Sequence, residues 1–442
     1  MQTHGHLLRI LGVGFGLAVI IGNTIGAGIF RAPGIVAQQL PNTWLFLGVW
    51  AFGGVYALLG VVSLAELGAM IPRSGGQYVF ARYALGEYAG FIVGWSDWIS
   101  TCGTTAAVSL VIGSFAVALF PVLKGGAVVV AATVATVFAL LQWQGLVWGS
   151  NIQDVTSLLK ALAFLVLIVA GFALGSGKLL TAQTVQVPAG FALLTSFALS
   201  LQSVIYTFDG WNGAIYFSEE VTNPGHNIPR SMFSGVFTII AIYLLVNLAL
   251  LYVLPLSRIA GQEFAAGVAA GVIFGRHGDT IFRSLTVLSM LSGLNAYHLM
   301  STRVLFAMSR DGLFSRKSAV VNEGGTPTVA LFISAALAVL IIVFSRTFET
   351  VITALAFFFV ANYTLSFISV FVLRRREPYK ERPYRAWGYP WTTALALIGS
   401  LAFLVGAVVS DTRNSMFALL LLGVSYPIYR AIKYVGPEDT SV

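Results

Sequence analysis

Long uncharged apolar runs follow one another along almost the whole chain. Each can supply the roughly 20 apolar residues that a helix needs to cross a bilayer. Glycine, proline and asparagine turn signals, such as those at 72–76 and 223–225, separate the runs. The pattern predicts about twelve membrane-spanning helices, numbered here as spans 1 to 12, and an even number places both chain ends on one side. The runs are 10–30, 32–65, 98–123, 125–153, 179–208, 231–257, 324–345, 350–373 and 386–410.

Two of these spans are interrupted by glycines, at residues 23–30 in span 1 and 206–213 in span 6. Glycine weakens the helical preference of a segment. Unwound backbone groups are tolerated at membrane depth only where they line a cavity or meet a ligand. Paired interruptions at corresponding positions of two halves are typical of the substrate site of a transporter.

The composition also indicates a membrane protein, because 57% of the residues are hydrophobic, 10% are charged and the mean hydropathy is +0.85. A soluble core of this length would carry many more charges. Short basic loops stay cytoplasmic, and a cytoplasmic N-terminus places sixteen Lys and Arg residues inside and eight outside. The net charge of +8 then arises mostly from the basic cytoplasmic loops that set the orientation of the chain, and no nucleic acid partner is needed to explain it.

The sequence offers no pattern for an enzyme, a metal site or a cofactor. Cys102 is the only cysteine and falls in span 3, so neither a disulfide framework nor a cysteine metal cluster is expected. The five histidines share no metal-ligand spacing. No general acid, nucleophile or metal set stands out.

An ordered set of motifs runs nearly end to end and carries a family resemblance. The motifs are residues 25–30, 65–78, 218–224, Asn295 with 303–314, 374–378 and 382–385. Together they resemble the amino acid, polyamine and organocation transporter superfamily, and within it the L-amino-acid transporter branch. Any one glycine motif would be weak, but the ordered set is strong.

The resemblance implies an all-α polytopic protein with the leucine-transporter-type fold, in which spans 1 and 6 are unwound. The whole chain, 1–442, would form one transmembrane domain. Spans 1–5 and 6–10 would be inverted repeats, at approximately 8–176 and 188–375, and spans 11 and 12 would be appended at approximately 388–434.

The two breaks suit a zwitterionic α-amino acid. Free N–H groups at a half-helix start favour a carboxylate, and free carbonyls before the first break and in span 6 favour an ammonium. The resemblance implies substrate contacts from both breaks and from span 8. These residues are Thr24, Ile25, Gly26, Ala27 and Gly28, then Tyr206, Thr207, Phe208, Asp209 and Gly210, and Tyr297.

Each of these assignments has a structural alternative. Tyr206 matches an aromatic gate that closes over the substrate in relatives, and Tyr297 matches a residue of the side-chain pocket. Either tyrosine could instead pack in the core or against lipid. Gly22 and Gly26 could serve close helix packing of the GxxxG kind rather than unwinding.

Lys160 falls about nine residues into span 5, or ~14 Å deep at 1.5 Å per residue. An unpaired lysine there would be costly, so it should face protein and find carbonyl or carboxylate partners. The resemblance implies that it stands where sodium-driven relatives hold sodium, and that it joins span 5 to the unwound part of span 1 and to span 8. The alternative is a lysine that snorkels to the cytoplasm.

Two aspartates are less readily assigned. Asp209 lies inside the second break and could bind the substrate ammonium, carry a proton, or cap the half-helix that begins at 210–213. Asp97 lies well inside span 3, departs from the family pattern, and could pair with Lys160.

The sequence therefore predicts a secondary carrier of amino acids that works by alternating access in the plasma membrane, with both termini cytoplasmic. Neutral L-amino acids are expected, by sodium-independent exchange or proton-linked uptake. One alternative is a carrier of cationic amino acids or polyamines, with Asp209 reading the extra amine. Another is a channel or a transport-dead sensor. The partners are a small-molecule amino acid and the lipid bilayer, and a homo-oligomer or partner subunit stays open.

Overall fold

The computed structural model describes residues 7–175, 177, 188–345, 348–410 and 412–435. The expected boundary between the two repeats, near 176–188, lies largely outside these residues. The described chain is all-α and its helices are connected by turns and short 3₁₀ segments. The helices are α1 (Val13–Thr24), α2 (Ala27–Gln39), α3 (Thr43–Met70), α4 (Gln77–Leu85), α5 (Glu87–Leu119), α6 (Ala127–Trp143), α7 (Leu146–Leu174), α8 (Phe191–Phe208), α9 (Pro224–Val253), α10 (Leu256–Ile259), α11 (Ala265–Phe274), α12 (Gly278–Arg310), α13 (Thr328–Ser345), α14 (Phe348–Arg376), α15 (Trp391–Ser410) and α16 (Thr412–Val435).

Nine helical segments in the described ranges are long and apolar enough to cross a membrane, and the bent pair α1 and α2 makes a tenth. The nine are α3, α5, α7, α8 with its 3₁₀ continuation, α9, α13, α14, α15 and α16. The other two predicted spans are α6, an apolar helix of 17 residues, and α12, which has 33 residues and buries polar side chains. The all-α polytopic fold is therefore confirmed, and the inverted repeat stays a prediction.

Burial follows from the composition of each helix. The α1 segment is apolar on every side and lies at the centre, packed against α7, α9 and α12, as expected for a helix that is hydrophobic all round. In contrast, α15 and α16 leave large apolar side chains such as Val405 and Leu420 exposed. Those outward faces are suited to lipid tails rather than to water.

The loops 71–76, 218–223, 311–327 and 377–390 lie on one face, called here the basic side. The first two and the start of the third are joined there by ion pairs. Arg303 of α12 binds Glu220 through two nitrogens, at 2.8 and 3.1 Å, and both side chains are 0% exposed. Burial raises the pKa of Glu220, although the Arg303 charge opposes the shift. Nearby, Arg310 binds Glu219 at 2.8 Å, and Asp311 binds Arg73 at 2.9 Å and Arg82 at 3.1 Å.

The opposite face, called here the lid side, carries α10 and α11. The Gly261 N–H donates to the Gly34 carbonyl at 2.9 Å, which attaches this region to the end of α2. An aromatic cap covers the start of α2, with ring centroids 5.2–6.3 Å apart. The cap consists of Phe30, Phe115, Phe164, Phe264 and Phe282. Ion pairs therefore join the loops of the basic side, and aromatic packing joins α2 to its neighbours on the lid side.

Candidate substrate site between the two broken spans

The first break lies between α1 and α2, whose axes differ by 45°. Ile25 still donates its N–H to the Ile21 carbonyl at 3.1 Å. Gly26 is extended, with φ −123° and ψ −150°, and its N–H turns back to the Thr24 carbonyl at 2.9 Å. The helical hydrogen-bond ladder stops there, so the first N–H groups of α2, from Ala27 onward, have no intrahelical acceptor.

The second break begins after Phe208, where α8 ends. Asp209 is extended, with φ −56° and ψ 143°, and Gly210 has φ +105°, a region that favours glycine. The chain continues as a 3₁₀ helix, Gly213–Phe217, toward the basic side. Both breaks occur within the stretches predicted from their glycines.

The two broken spans cross in direct backbone contact. A Cβ atom added at Gly28 would lie 2.8 Å from Thr207 Oγ1, and one added at Gly210 would lie 3.0 Å from the Thr24 nitrogen. At Gly22 a Cβ would meet Gln153 and Ser292, so this glycine serves close packing. At Gly26 the nearest atom outside its neighbours is the Asn23 carbonyl oxygen at 3.8 Å, so helix packing does not require glycine there.

The carbonyls before the first break are not free, contrary to the expectation from the sequence. Lys160 Nζ donates to the Gly22 carbonyl at 2.7 Å and to the Ile25 carbonyl at 2.6 Å. The Tyr297 hydroxyl donates to the Asn23 carbonyl at 3.0 Å. Each carbonyl oxygen keeps a second lone pair, but the main acceptors for an ammonium must be sought elsewhere.

Lys160 is 1% exposed, with its ammonium against the first break rather than at the cytoplasmic surface. The geometry therefore contradicts snorkelling. Tyr297 is also buried, and its hydroxyl holds backbone at the same break. Both side chains brace the unwound segment through its own carbonyl groups.

Tyr243 of α9 is a residue that the sequence did not single out. Its hydroxyl lies 2.7 Å from the Thr24 carbonyl oxygen and 2.9 Å from the Thr207 carbonyl oxygen. A phenol has one hydrogen, so the two breaks share a single donor. The only signal in the sequence was a tyrosine inside the apolar run of span 7, where a hydroxyl needs a partner.

The residues of the second break point in different directions. Tyr206 is half-buried and packs beside the cluster of α5 and α14 residues that includes Leu355 and Phe358. The Phe208 ring is buried and packs against Tyr243, with centroids 4.9 Å apart. Thr207 directs its hydroxyl to the Ser203 carbonyl at 2.7 Å. Only part of the predicted span 6 set therefore offers a side chain to a ligand.

Asp209 accepts a hydrogen bond from the Tyr363 hydroxyl of α14. Tyr363 in turn stacks on Trp211, with ring centroids 5.0 Å apart. The 3₁₀ helix after the break starts from Asn212, and no side chain caps it. Asp209 therefore does not cap that 3₁₀ helix, and its carboxylate lies beside the break, next to the Gly210 N–H.

Asp97 and Lys160 do not form the pair that was considered from the sequence. Asp97 Oδ1 and Oδ2 lie 2.8 and 3.0 Å from the Tyr216 hydroxyl, whereas Lys160 binds backbone carbonyls. No salt bridge joins the two within the part of the chain that the structure describes.

The remaining polar groups at the crossing form two sets. The free N–H groups at the start of α2 are donors, and Gly26 and Gly28 beside them are partly exposed. The acceptors are the Asp209 carboxylate and the second lone pairs of the carbonyls in the second break, where the Tyr206, Thr207 and Gly210 carbonyls each already accept one hydrogen bond. Such an arrangement offers donors to an anionic group and acceptors to a cationic group. Among the described residues no group of His, Cys, Asp and Glu could hold a metal ion.

Comparison with known proteins gives consistent matches over almost the entire chain. A family model described as amino acid permease matches residues 16–426. The chain is 28% identical over 433 residues to the serine/threonine exchanger SteT of Bacillus subtilis (strain 168), covering 97% of each protein. It is 28% identical over 395 residues to Asc-type amino acid transporter 1 of Mus musculus, covering 86% of this chain and 73% of the relative. It is 27% identical over 392 residues to large neutral amino acids transporter small subunit 2 of Homo sapiens, covering 86% and 72%.

Proposed function

The chain belongs to the amino acid permease family, in the branch of the superfamily that resembles the L-amino-acid transporters, and from this we propose that it carries neutral L-amino acids by alternating access. The relatives support amino acid transport as the general activity. The proposal adds a neutral side chain, sodium independence and either exchange or proton-linked uptake. No catalytic step is part of it.

The observation that carries the proposal is the crossing of the two broken spans. The N–H groups of residues 27–29 would bind the substrate carboxylate, since donors and helix dipole both favour an anion there. The acceptors of the second break, 206–210, would bind the ammonium. Recognition through backbone groups requires an α-amino acid but does not select its side chain.

Alternating access requires each side to open in turn. The ion pairs of Glu219, Glu220 and Asp311 would hold the basic side closed while the aromatic cap separates and the lid side opens. In the second half of the cycle the cap would pack again, and the ion pairs would break to open the basic side. Tyr206, half-buried next to the break, would close over the bound substrate from the lid side.

Sodium independence rests on Lys160. Its ammonium binds the Gly22 and Ile25 carbonyls, so a fixed positive charge already braces the first break. We expect counterflow of a radiolabelled neutral amino acid in proteoliposomes to be unchanged when choline replaces sodium. Collapse of counterflow in choline would contradict this part of the proposal.

The same proteoliposomes can be used to measure selectivity for the substrate side chain. Each of the twenty amino acids is tested as a competitor of one labelled substrate at two pH values, and we expect saturable inhibition by small or large neutral amino acids. Unsaturable flux would favour a channel, and substrate binding without counterflow would favour a sensor. Either result would overturn the proposal.

Transport of cationic amino acids is a second candidate, because the Asp209 carboxylate lies at the break and does not cap the 3₁₀ helix that follows. Asp209→Asn would then abolish inhibition by lysine and arginine while inhibition by neutral amino acids remained. Equal loss of both classes would assign Asp209 to the ammonium of every substrate.

We place the protein in the plasma membrane with its basic side and both termini in the cytoplasm. Cys102 is buried and is the only cysteine, so single introduced cysteines report topology cleanly. In intact cells, an impermeant maleimide should label Lys124→Cys on the lid side and leave Tyr379→Cys, at a position that is 98% exposed on the basic side, unlabelled. The reverse pattern would invert the orientation.

A further inference from the structure

Asp97 lies inside the membrane-spanning helix α5, and its carboxylate belongs neither to the proposed substrate site nor to the ion pairs of the basic side. It is 2% exposed, and its carboxylate oxygens bind the Tyr216 hydroxyl at 2.8 and 3.0 Å. Within the described residues no Lys, Arg or His lies in salt-bridge distance of it. Ionisable residues at membrane depth are costly and usually have a functional role.

The cations and phenols on the neighbouring helices are engaged elsewhere. Arg303 of α12 binds Glu220, Tyr78 of α4 binds Asp311, and Tyr363 of α14 binds Asp209. On α16, Tyr429 and Lys433 bind Glu87 at the far end of α5, and α6 and α13 carry no ionisable residue. His298 of α12 is buried too, near α6. Among the described residues, Tyr216 and Thr101 act on the Asp97 carboxylate by hydrogen bonding, and Asp209 acts on it by repulsion.

The contact between Asp97 and Tyr216 fits both protonation states of the carboxyl group. An ionised carboxylate accepts the phenol hydrogen, and a protonated one can donate its own hydrogen to the phenol oxygen. The bond to an ionised acceptor is roughly twice as strong as a neutral one. Protonation of Asp97 therefore weakens its hydrogen bond to Tyr216 but does not abolish it.

Tyr216 lies on the 3₁₀ helix that joins the second break to the ion pairs of the basic side. Its carbonyl accepts the Gly75 N–H at 3.3 Å, and its ring fills the space where a Cβ of Gly76 would lie. Glu219 and Glu220 follow directly. If this segment moves when the basic side opens, the phenol must leave Asp97.

We infer that Asp97 is the proton-carrying residue that couples amino acid transport to proton movement, through its bond to Tyr216. This inference rests on the proposed function and deepens it. Ionised Asp97 holds the 3₁₀ helix, and with it Glu219 and Glu220, in the position in which the basic side is closed. One proton, bound while the lid side is open, weakens that bond and favours opening of the basic side, where the proton is released. Opening of the basic side brings the carboxyl group into contact with the more alkaline cytoplasm, and hydration of the carboxylate there favours release of the proton.

The test compares two assays on the same proteoliposomes. Uptake driven by an inside-alkaline pH gradient should be stimulated several-fold in the wild type, and Asp97→Asn should abolish the stimulation while counterflow at symmetrical pH remains. Asp154→Asn, on an exposed position of α7, is the matched control and should keep the full stimulation. Stimulation that survives in Asp97→Asn would overturn the inference.

Two further outcomes separate this inference from the proposed function. Wild-type counterflow without any response to the gradient would overturn proton coupling and leave amino acid exchange intact. No counterflow in the wild type would overturn the proposed function itself.

A second variant covers the case in which Asp97→Asn does not fold. Tyr216→Phe removes the donor that stabilises the ionised carboxylate. We expect the pH of half-maximal uptake to move upward, and an unchanged pH profile would contradict the inference.

Discussion

Tyrosine hydroxyls hold the unwound backbone of the two broken spans. Tyr243 bridges the Thr24 and Thr207 carbonyls, and Tyr297 binds the Asn23 carbonyl. A carbonyl that has lost its helical partner and stays buried is costly unless another donor reaches it. These hydroxyls therefore stabilise a backbone conformation that the apolar surroundings would otherwise disfavour.

Removing the Tyr243 hydroxyl should disturb both breaks at once. Tyr243→Phe keeps the ring that packs on Trp50 and Phe208 and deletes only the donor. A lost buried hydrogen bond costs about 1–3 kcal/mol, so we expect counterflow at low substrate to fall by a factor between about 5 and about 150. Tyr252→Phe, on the same helix α9, is the control and should change little. Equal rates in the two variants would exclude a bridging role.

The sequence could place some of these residues and not others, for a physical reason. Lys160 was expected near the first break because a lysine at membrane depth needs partners, and the structure provides two carbonyls there. The sequence gives no comparable indication for Tyr243, because a single tyrosine in a chain rich in aromatic residues is most simply interpreted as a packing residue. Asp97 was noticed as a buried charge, but its partner could not be known until the 3₁₀ helix brought Tyr216 to it.

At the scale of elements, the two broken spans approach each other through glycines. Because Gly28 and Gly210 have no side chain, the backbone of the opposite span lies close to each of them. Each unwound segment therefore packs directly against the other. The low helix propensity of glycine predicted that both spans unwind. The crossing itself also depends on the packing of α9 and α12 against α1 and the 3₁₀ helix.

The glycines of the first break should respond differently to an added methyl group. Gly28→Ala would push against Thr207 Oγ1 and Cα, at 2.8 and 3.0 Å, and should abolish counterflow and lower Tm. Gly26→Ala meets only the Asn23 oxygen at 3.8 Å, so it should leave Tm nearly unchanged and raise KM several-fold, because the methyl group would enter the proposed substrate space. Gly48→Ala, which has open space around it, is the control for both. A normal KM in Gly26→Ala would remove Gly26 from the proposed site.

The buried ion pair on the basic side also belongs to this scale, because it joins α12 to the loop between the 3₁₀ helix and α9. Glu220→Gln leaves Arg303 charged and unpaired in a site that is fully buried, at a cost of about 3–5 kcal/mol. We expect a marked loss of Tm in detergent. The double variant Glu220→Gln with Arg303→Met removes the charge altogether and should recover part of that loss. A double variant less stable than the single one would contradict this account.

At the scale of the whole molecule, composition and the length of the apolar runs predicted a polytopic helical membrane protein, and the ordered motifs predicted the family. The structure and the family match confirm both. The pattern did not show that α6 is as short as 17 residues or that α12 is so polar, because span counts from hydropathy depend on turn signals more than on length. The contacts that join each side involve residues far apart in sequence, such as Arg303 with Glu220, and these cannot be predicted from a local pattern.

Alternating access predicts that fixing one side closed stops transport without abolishing binding. Leu11 and Val221 face each other in an isolated parallel bridge on the basic side, where the Leu11 N–H donates to the Glu220 carbonyl at 2.9 Å. Neighbours in such a bridge lie within the Cα separation that a disulfide tolerates. Leu11→Cys with Val221→Cys, once oxidised, should lose counterflow, keep substrate binding from the lid side, and recover transport in reductant. Each single variant should transport with or without oxidant. Full counterflow by the oxidised double variant, with the disulfide verified by mass spectrometry, would show that the basic side need not open at this contact.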